Sequence, residues 1–66
     1  MKVLLRNPRR EVEIEGPLSV IGLLQRFGIN RDTVLVIRNG TLVPGDQMLY
    51  AGDDVEIRPV ISGGAT

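Results

Sequence analysis

The 66-residue sequence has no cysteine and no histidine. Without cysteine, no disulfide framework can staple the fold. Without histidine, the usual zinc clusters and the usual nucleophile–base pairs are missing. A surplus of either charge is also lacking: eight Lys and Arg balance eight Asp and Glu. Phosphate binding needs a net basic face, so no nucleic-acid partner is expected. No apolar run approaches the ~20 residues of a membrane-spanning helix, and nothing at the N-terminus reads as a signal peptide. No membrane association is expected, and the expected location is the cytoplasm. Internal repeats, low-complexity segments and linkers are likewise absent. A chain this short makes one domain and buries only about 60% of its unfolded surface. Its stability must rest on a well-patterned apolar core, and a hydrophobic content of 42% is consistent with one.

What is present is a clear order of elements. Lys2-Val3-Leu4-Leu5-Arg6 is short and apolar, and Asn7-Pro8 carries turn chemistry. Glu11-Val12-Glu13-Ile14-Glu15 alternates strictly, with two apolar residues facing one side and three glutamates the other, as in a half-buried strand. The two runs read as a hairpin. Arg6, Arg9 and Arg10 read as its solvated tip, beside the glutamate row. Gly16-Pro17 ends the strand. Ser19 is placed to cap a helix, with Leu18 and Leu23 spaced for a hydrophobic staple. Val20, Leu23, Leu24 and Phe27 fall on one helical face, Gly28 suits the left-handed stop, and Ile29 can pack back over the last turn. Eight or nine helical residues do not hold alone in water, so this helix must lie across a sheet.

Thr33-Val34-Leu35-Val36-Ile37-Arg38 is apolar on both alternating faces, as in a central strand or one with an exposed apolar face. Asn39-Gly40 supplies the two positive-φ positions of a type I′ hairpin turn. Thr41-Leu42-Val43 reads as a short return strand ended by Pro44-Gly45. Asp46 to Tyr50 reads as irregular chain or one helical turn, with Leu49 and Tyr50 tucked under the sheet edge. Asp53-Asp54 lies in a turn; two carboxylates fall short of the oxygen count a hard metal needs, so no metal site is expected. Val55 to Ile61 alternates again, and Pro59 should end pairing on one side. The simplest closure sets the first and last strands side by side as a parallel central pair under the helix. The predicted class is therefore α+β: a β-grasp (ubiquitin-like) fold with a mixed four- to five-stranded sheet and one helix packed across it. Parity assigns Val3, Leu5, Val12, Ile14, Val34, Val36, Val55 and Ile57 to the helix side. The opposite face would carry Leu4, Leu35, Ile37, Arg58 and Val60, an apolar patch rimmed by charge and a candidate partner-binding face.

The domain is read as residues 1–61 and the tail as residues 62–66. Beyond Ile61, no tail residue can pack into a core. Adjacent Gly63 and Gly64 leave a backbone without Cβ atoms, thin in cross-section. At roughly 3.3–3.6 Å per residue, Ser62 to Gly64 could reach about 10 Å into a partner's cleft. Such a tail suits another protein's active site better than an active site of its own. Frayed termini are common, however.

The runs Val36-Ile37-Arg38-Asn39-Gly40, Gly52-Asp53-Asp54-Val55-Glu56-Ile57 and Val60-Ile61-Ser62-Gly63-Gly64 together resemble the ThiS/MoaD family of ubiquitin-like sulfur carriers. The likeness runs from Val3 to Gly64, and the ending leans toward the tRNA-thiolation carriers and small archaeal modifiers. The resemblance implies a monomer with no catalytic residue and no bound cofactor or metal. It implies that a ubiquitin-activating-type adenylating enzyme uses Mg-ATP to adenylate the carboxylate of Gly64. A sulfur donor then forms a thiocarboxylate, and a sulfur-accepting biosynthetic enzyme takes the sulfur for thiolated tRNA, thiamine or molybdopterin. Some relatives are instead joined through the same carboxyl to lysines of target proteins. Because Lys2 is the only lysine, self-conjugation would have to use it or the N-terminus. A passive β-grasp interaction module, using the apolar face alone, is a third alternative.

Ala65 and Thr66 depart from the family pattern, because Gly64 has no free carboxylate while they remain. A precursor cleaved between Gly64 and Ala65 by a JAMM-type metalloprotease is the favoured explanation. An addition made for expression, or loss of carrier function, would also account for them.

Overall fold

The computed structural model describes residues 1–6 and 9–60. The Asn7-Pro8 turn, the 61/62 boundary, and Gly63, Gly64 and Ala65 lie outside the described residues. The chain forms β1 (Lys2–Leu5), β2 (Arg10–Glu13), β3 (Leu18–Ser19), α1 (Val20–Phe27), a 3-10 turn (Arg31–Thr33), β4 (Val34–Arg38), β5 (Thr41–Leu42), β6 (Met48–Leu49) and β7 (Asp54–Pro59). Five strands make one mixed sheet in the order β2-β1-β7-β4-β5. The first and last strands are its parallel central pair, and the other pairings are antiparallel. This is the expected β-grasp arrangement. The second strand begins one residue earlier than its alternation suggests, at Arg10, because Arg10 still pairs with Leu5.

The helix is held at both ends by local chemistry. Ser19 Oγ accepts from Gly22 N at 2.9 Å. Two other first-turn donors, Val20 N and Ile21 N, reach the carbonyls of Gln47 and Gly45 at 2.9 and 3.0 Å. Three N–H groups that a helix start leaves unpaired thus find partners. At the other end, Gly28 takes φ 71°. Its N–H bonds Gln25 O, and Ile29 N bonds Leu24 O at 2.9 Å, a Schellman stop.

The core is Met1, Val3, Val20, Leu23, Leu24, Val36, Leu49, Val55 and Ile57, with Leu5, Ile14, Leu18, Phe27, Ile29, Val34 and Val43 packed around it. The parity reading of the helix side is the one observed, with Val12 half-buried on the outer strand.

Two expectations are corrected. Asp46 to Tyr50 is not merely irregular: Met48–Leu49 pairs antiparallel with Leu18–Ser19 in a separate two-stranded sheet. That pairing drives Leu49 fully into the core. Strand alternation then turns the next side chain outward, so Tyr50 is 53% exposed rather than tucked under the edge.

Candidate functional site

The face of the sheet opposite the helix is built by register. Side chains alternate along each strand, and directly paired residues share a face. One row runs Glu13, Lys2, Asp54 across β2, β1 and β7. The next runs Glu11, Leu4, Glu56, Ile37, Leu42 across all five strands. A third pairs Arg58 with Leu35. Leu4, Leu35, Ile37 and Arg58 are therefore brought onto one surface, as their parity predicts. Val60 continues the alternation of β7. Leu35 is 44% and Val60 41% exposed, so both stand on the surface rather than in the core. Leu4 and Ile37 are half-buried between their neighbours.

The sequence reading missed two parts of this surface. Leu42, 59% exposed, stands opposite Ile37 and extends the apolar strip to the sheet edge. The two-residue Asn39-Gly40 turn already dictates that pairing, since it sets Arg38 against Thr41 and Ile37 against Leu42. The second is an ionic cluster at the centre of the strip. Glu56 sits between Leu4 and Ile37, and its Oε2 accepts from Arg6 Nε at 2.8 Å, with Arg58 Nε at 3.6 Å. Arg6 is thus turned onto the sheet face, whereas Arg9 and Arg10 stay at the exposed hairpin tip. Partly exposed pairs of this kind add little stability, typically under about 1 kcal/mol. Their effect is to fix where the charges stand beside the apolar strip.

Lys2, Leu4, Glu11, Ile37, Asp54 and Glu56 line a shallow depression of about 310 Å³ on the same face. β7 carries the surface to the tail. Asp54 O and Val60 N both bond toward β4, so Pro59, one residue out of phase with them, turns its nitrogen toward β1. That strand has already ended at Leu5, opposite Ile57. Pro59 therefore interrupts no ladder bond.

The two adjacent aspartates part company. Asp54 joins the open face, while Asp53 turns back on the loop before β7. Its Oδ2 accepts from Tyr50 N at 2.8 Å and its Oδ1 from Asn39 Nδ2 at 3.2 Å. The Tyr50 N–H is the largest influence on its carboxyl; desolvation opposes it, and the Asn39 amide and the Arg38 charge add to it, so that the carboxyl is held below its ordinary value. Among the described residues no polar or charged side chain is buried, and no group of acidic residues is arranged to hold a metal ion. No helix of the described residues is long and apolar enough to cross a membrane.

The family model described as the ThiS family matches residues 3–64. The chain is also similar to the sulfur carrier protein TtuB of Thermus thermophilus. The two are 35% identical over 65 residues, 97% of this chain and the whole of that protein.

Proposed function

The chain belongs to the ThiS family, and from that premise we propose that it is a ubiquitin-like sulfur carrier acting through the carboxylate of Gly64. The observation that carries this reading is that the family match runs through the glycine pair, ending at Gly64. Removal of Ala65-Thr66 frees the carboxylate. A ubiquitin-activating-type enzyme adenylates it with Mg-ATP, and a sulfur donor displaces AMP to leave a thiocarboxylate. A biosynthetic enzyme then takes the sulfur, for which tRNA thiolation is the branch the Pro59-to-Gly64 ending favours.

The chain supplies no catalytic group; it is the substrate that carries the sulfur. An acyl-adenylate requires a backbone carboxylate delivered into a nucleotide site, and two glycines present the smallest possible cross-section. The open face with Leu4, Leu35, Ile37, Arg58 and Val60 is where the activating enzyme docks. Contact there positions the tail, and binding far from the reacting carbon contributes to positioning it.

Intact-mass measurement tests the proposal. Residues 1–64, incubated with the activating enzyme, Mg-ATP and a sulfur donor, should gain about 16 Da, the replacement of oxygen by sulfur in an acyl transfer of this type. Gly64→Leu should abolish the gain while leaving thermal unfolding unchanged. A wild-type 1–64 chain that never changes mass in this mixture would refute the reading.

A further inference from the structure

The five-stranded sheet has two edges, and they are finished differently. The β5 edge is two residues long, and Pro44 follows closely. Short strands and prolines are common ways of closing an edge to further pairing. β2 forms the other edge, with four residues and no proline.

The phase of the hydrogen bonds shows which groups β2 leaves open. Ile14 N donates to Met1 O at 2.9 Å, and the Met1 amino group donates to Ile14 O at 2.7 Å. In an antiparallel pair such doubly bonded residues recur at every second position. The next are therefore Val12 with Val3 and Arg10 with Leu5. Lys2 lies out of phase and donates its N–H the other way, to Asp53 O at 3.1 Å. Its cross-strand neighbour Glu13, and likewise Glu11 opposite Leu4, turn N–H and C=O off the edge of the sheet. A row of donors and acceptors stands there with no strand beside it. The side chains alternate along it: Glu11 and Glu13 are exposed on the open face, and Val12 is half-buried on the helix side.

We propose that the β2 edge is a second binding site, which takes as an added strand an extended segment of another protein with a basic–apolar–basic pattern. Charge excludes a second copy and selects this occupant. Within β2 only Glu11 and Glu13 present both groups outward, so every antiparallel pairing of two β2 strands through them sets glutamate directly opposite glutamate. Like charges so placed are destabilising, and opposite charges are stabilising. A lysine or arginine at each facing position gives the favourable arrangement, and the apolar residue between them lies beside Val12. Glu13 has the Met1 ammonium at 3.4 Å and Lys2 across the ladder, yet its side chain stays 77% exposed. Glu11 faces Leu4 and has no ion pair among the described residues. Arg9 and Arg10, exposed at the hairpin end, repel a longer basic segment and confine it to the stretch beside the glutamates. β1 separates this edge from β7, the strand that leads to the tail, and the proposal is independent of what becomes of Gly64.

The probe is a capped Lys-Val-Lys-Val-Lys peptide, titrated into the isotope-labelled full chain and followed by amide hydrogen exchange. A capped Glu-Val-Glu-Val-Glu peptide is the control. The basic peptide should slow exchange at the Glu11 and Glu13 amides and leave Val12, already bonded to β1, nearly unchanged. E11Q with E13Q keeps the backbone edge and should weaken binding about ten-fold, and added salt should weaken it for the wild type. N-methylation of the lysine amides keeps the peptide's charge and removes the donors that face β2, so it should abolish the protection. Three outcomes would overturn the proposal: binding that leaves the Glu11 and Glu13 amides exchanging as before, equal binding of the acidic peptide, or equal binding of the N-methylated one. Protection of the same amides without any peptide, together with a dimer in solution, would give the edge to a second copy and overturn it as well.

Discussion

Asn39 and Asp53, fourteen residues apart, are joined side chain to side chain: Asn39 Nδ2 donates to Asp53 Oδ1 at 3.2 Å. The same Asn39 side chain accepts from Asp54 N at 2.9 Å, and its backbone N–H donates to Asp54 O at 2.7 Å. A residue selected for the left-handed turn, with φ 50°, therefore also clamps the loop that opens β7. β7 is the strand that leads to the tail, and the clamp fixes its start, while Val60 N, bonded to Thr33 O at 2.9 Å, still holds its far end to the chain before β4.

Two functions in one residue can be separated by substitution. Asn39→Gly keeps the positive φ and removes the clamp. Asn39→Ala removes the clamp and adds the left-handed penalty of a Cβ, about 1–2 kcal/mol. Urea unfolding should rank wild type above Asn39→Gly and Asn39→Gly above Asn39→Ala. An Asn39→Gly protein as stable as wild type would mean that the side-chain bonds to Asp53 and Asp54 contribute nothing.

The Asp53 carboxylate gives the clamp a pH signature. Its folded value is held below the ordinary carboxylate value, first by the Tyr50 N–H and then by Asn39 and Arg38. A depressed value stabilises the fold wherever the unfolded chain would already be ionised, above about pH 3.9. That contribution fades as pH falls through the lower folded value. Asp53→Asn should flatten this part of the acid limb of a stability–pH curve and leave the neutral region nearly parallel to wild type. An acid limb unchanged by Asp53→Asn would rule out this linkage.

Most of the architecture was readable because each local signal agreed with the global one. Ser19, Gly28 and the Asn39-Gly40 pair each state a backbone requirement that the structure meets. Strict alternation at residues 11–15 and 55–58 fixed which side chains face the helix. The Met48–Leu49 strand was not readable because two residues carry no period. Its pairing with Leu18–Ser19 is set by tertiary contact, including the Gly45 and Gln47 carbonyls that complete the helix start. Arg6 reads as part of the solvated hairpin tip for a similar reason: its actual partner, Glu56, is fifty residues away. Val34 to Ile37 was apolar on both faces, so which pair formed the core was open in the sequence. Pairing of Val36 with Ile57 and of Leu35 with Arg58 resolves it.

Leu49 and Tyr50 are neighbours with opposite environments, and their substitutions should differ accordingly. Leu49 is fully buried beside Leu23 and Val3 in the core. Leu49→Ala should cost about 2–5 kcal/mol, the range for a buried leucine, which is a large share of the stability of so small a domain. Tyr50→Ala should change stability by no more than about 0.5 kcal/mol. Thermal or denaturant unfolding of the two variants checks the contrast, and equal losses would contradict the outward placement of Tyr50.

Leu35 and Leu42 test the open face as a docking surface without disturbing the core. Both are substantially exposed, so Leu35→Asp and Leu42→Asp should leave unfolding within about 0.5 kcal/mol of wild type. A buried contact with the activating enzyme is another matter. Charging one apolar contact should weaken docking by about 1.4 kcal/mol, or ten-fold. None of these side chains takes part in the chemistry proposed for Gly64, so the loss should fall on the carrier's half-saturation concentration and not on the turnover rate, the pattern of uniform binding. The assay is pyrophosphate release by the activating enzyme at varied concentrations of residues 1–64. Leu42 is the sharper probe, because it adds to the strip at the sheet edge, two strands from Glu56 at the centre of the ionic cluster. A ten-fold rise for Leu35→Asp with none for Leu42→Asp would confine docking to the tail side of the face. A fall in turnover at constant half-saturation would remove the face from docking altogether and leave the tail as the sole determinant.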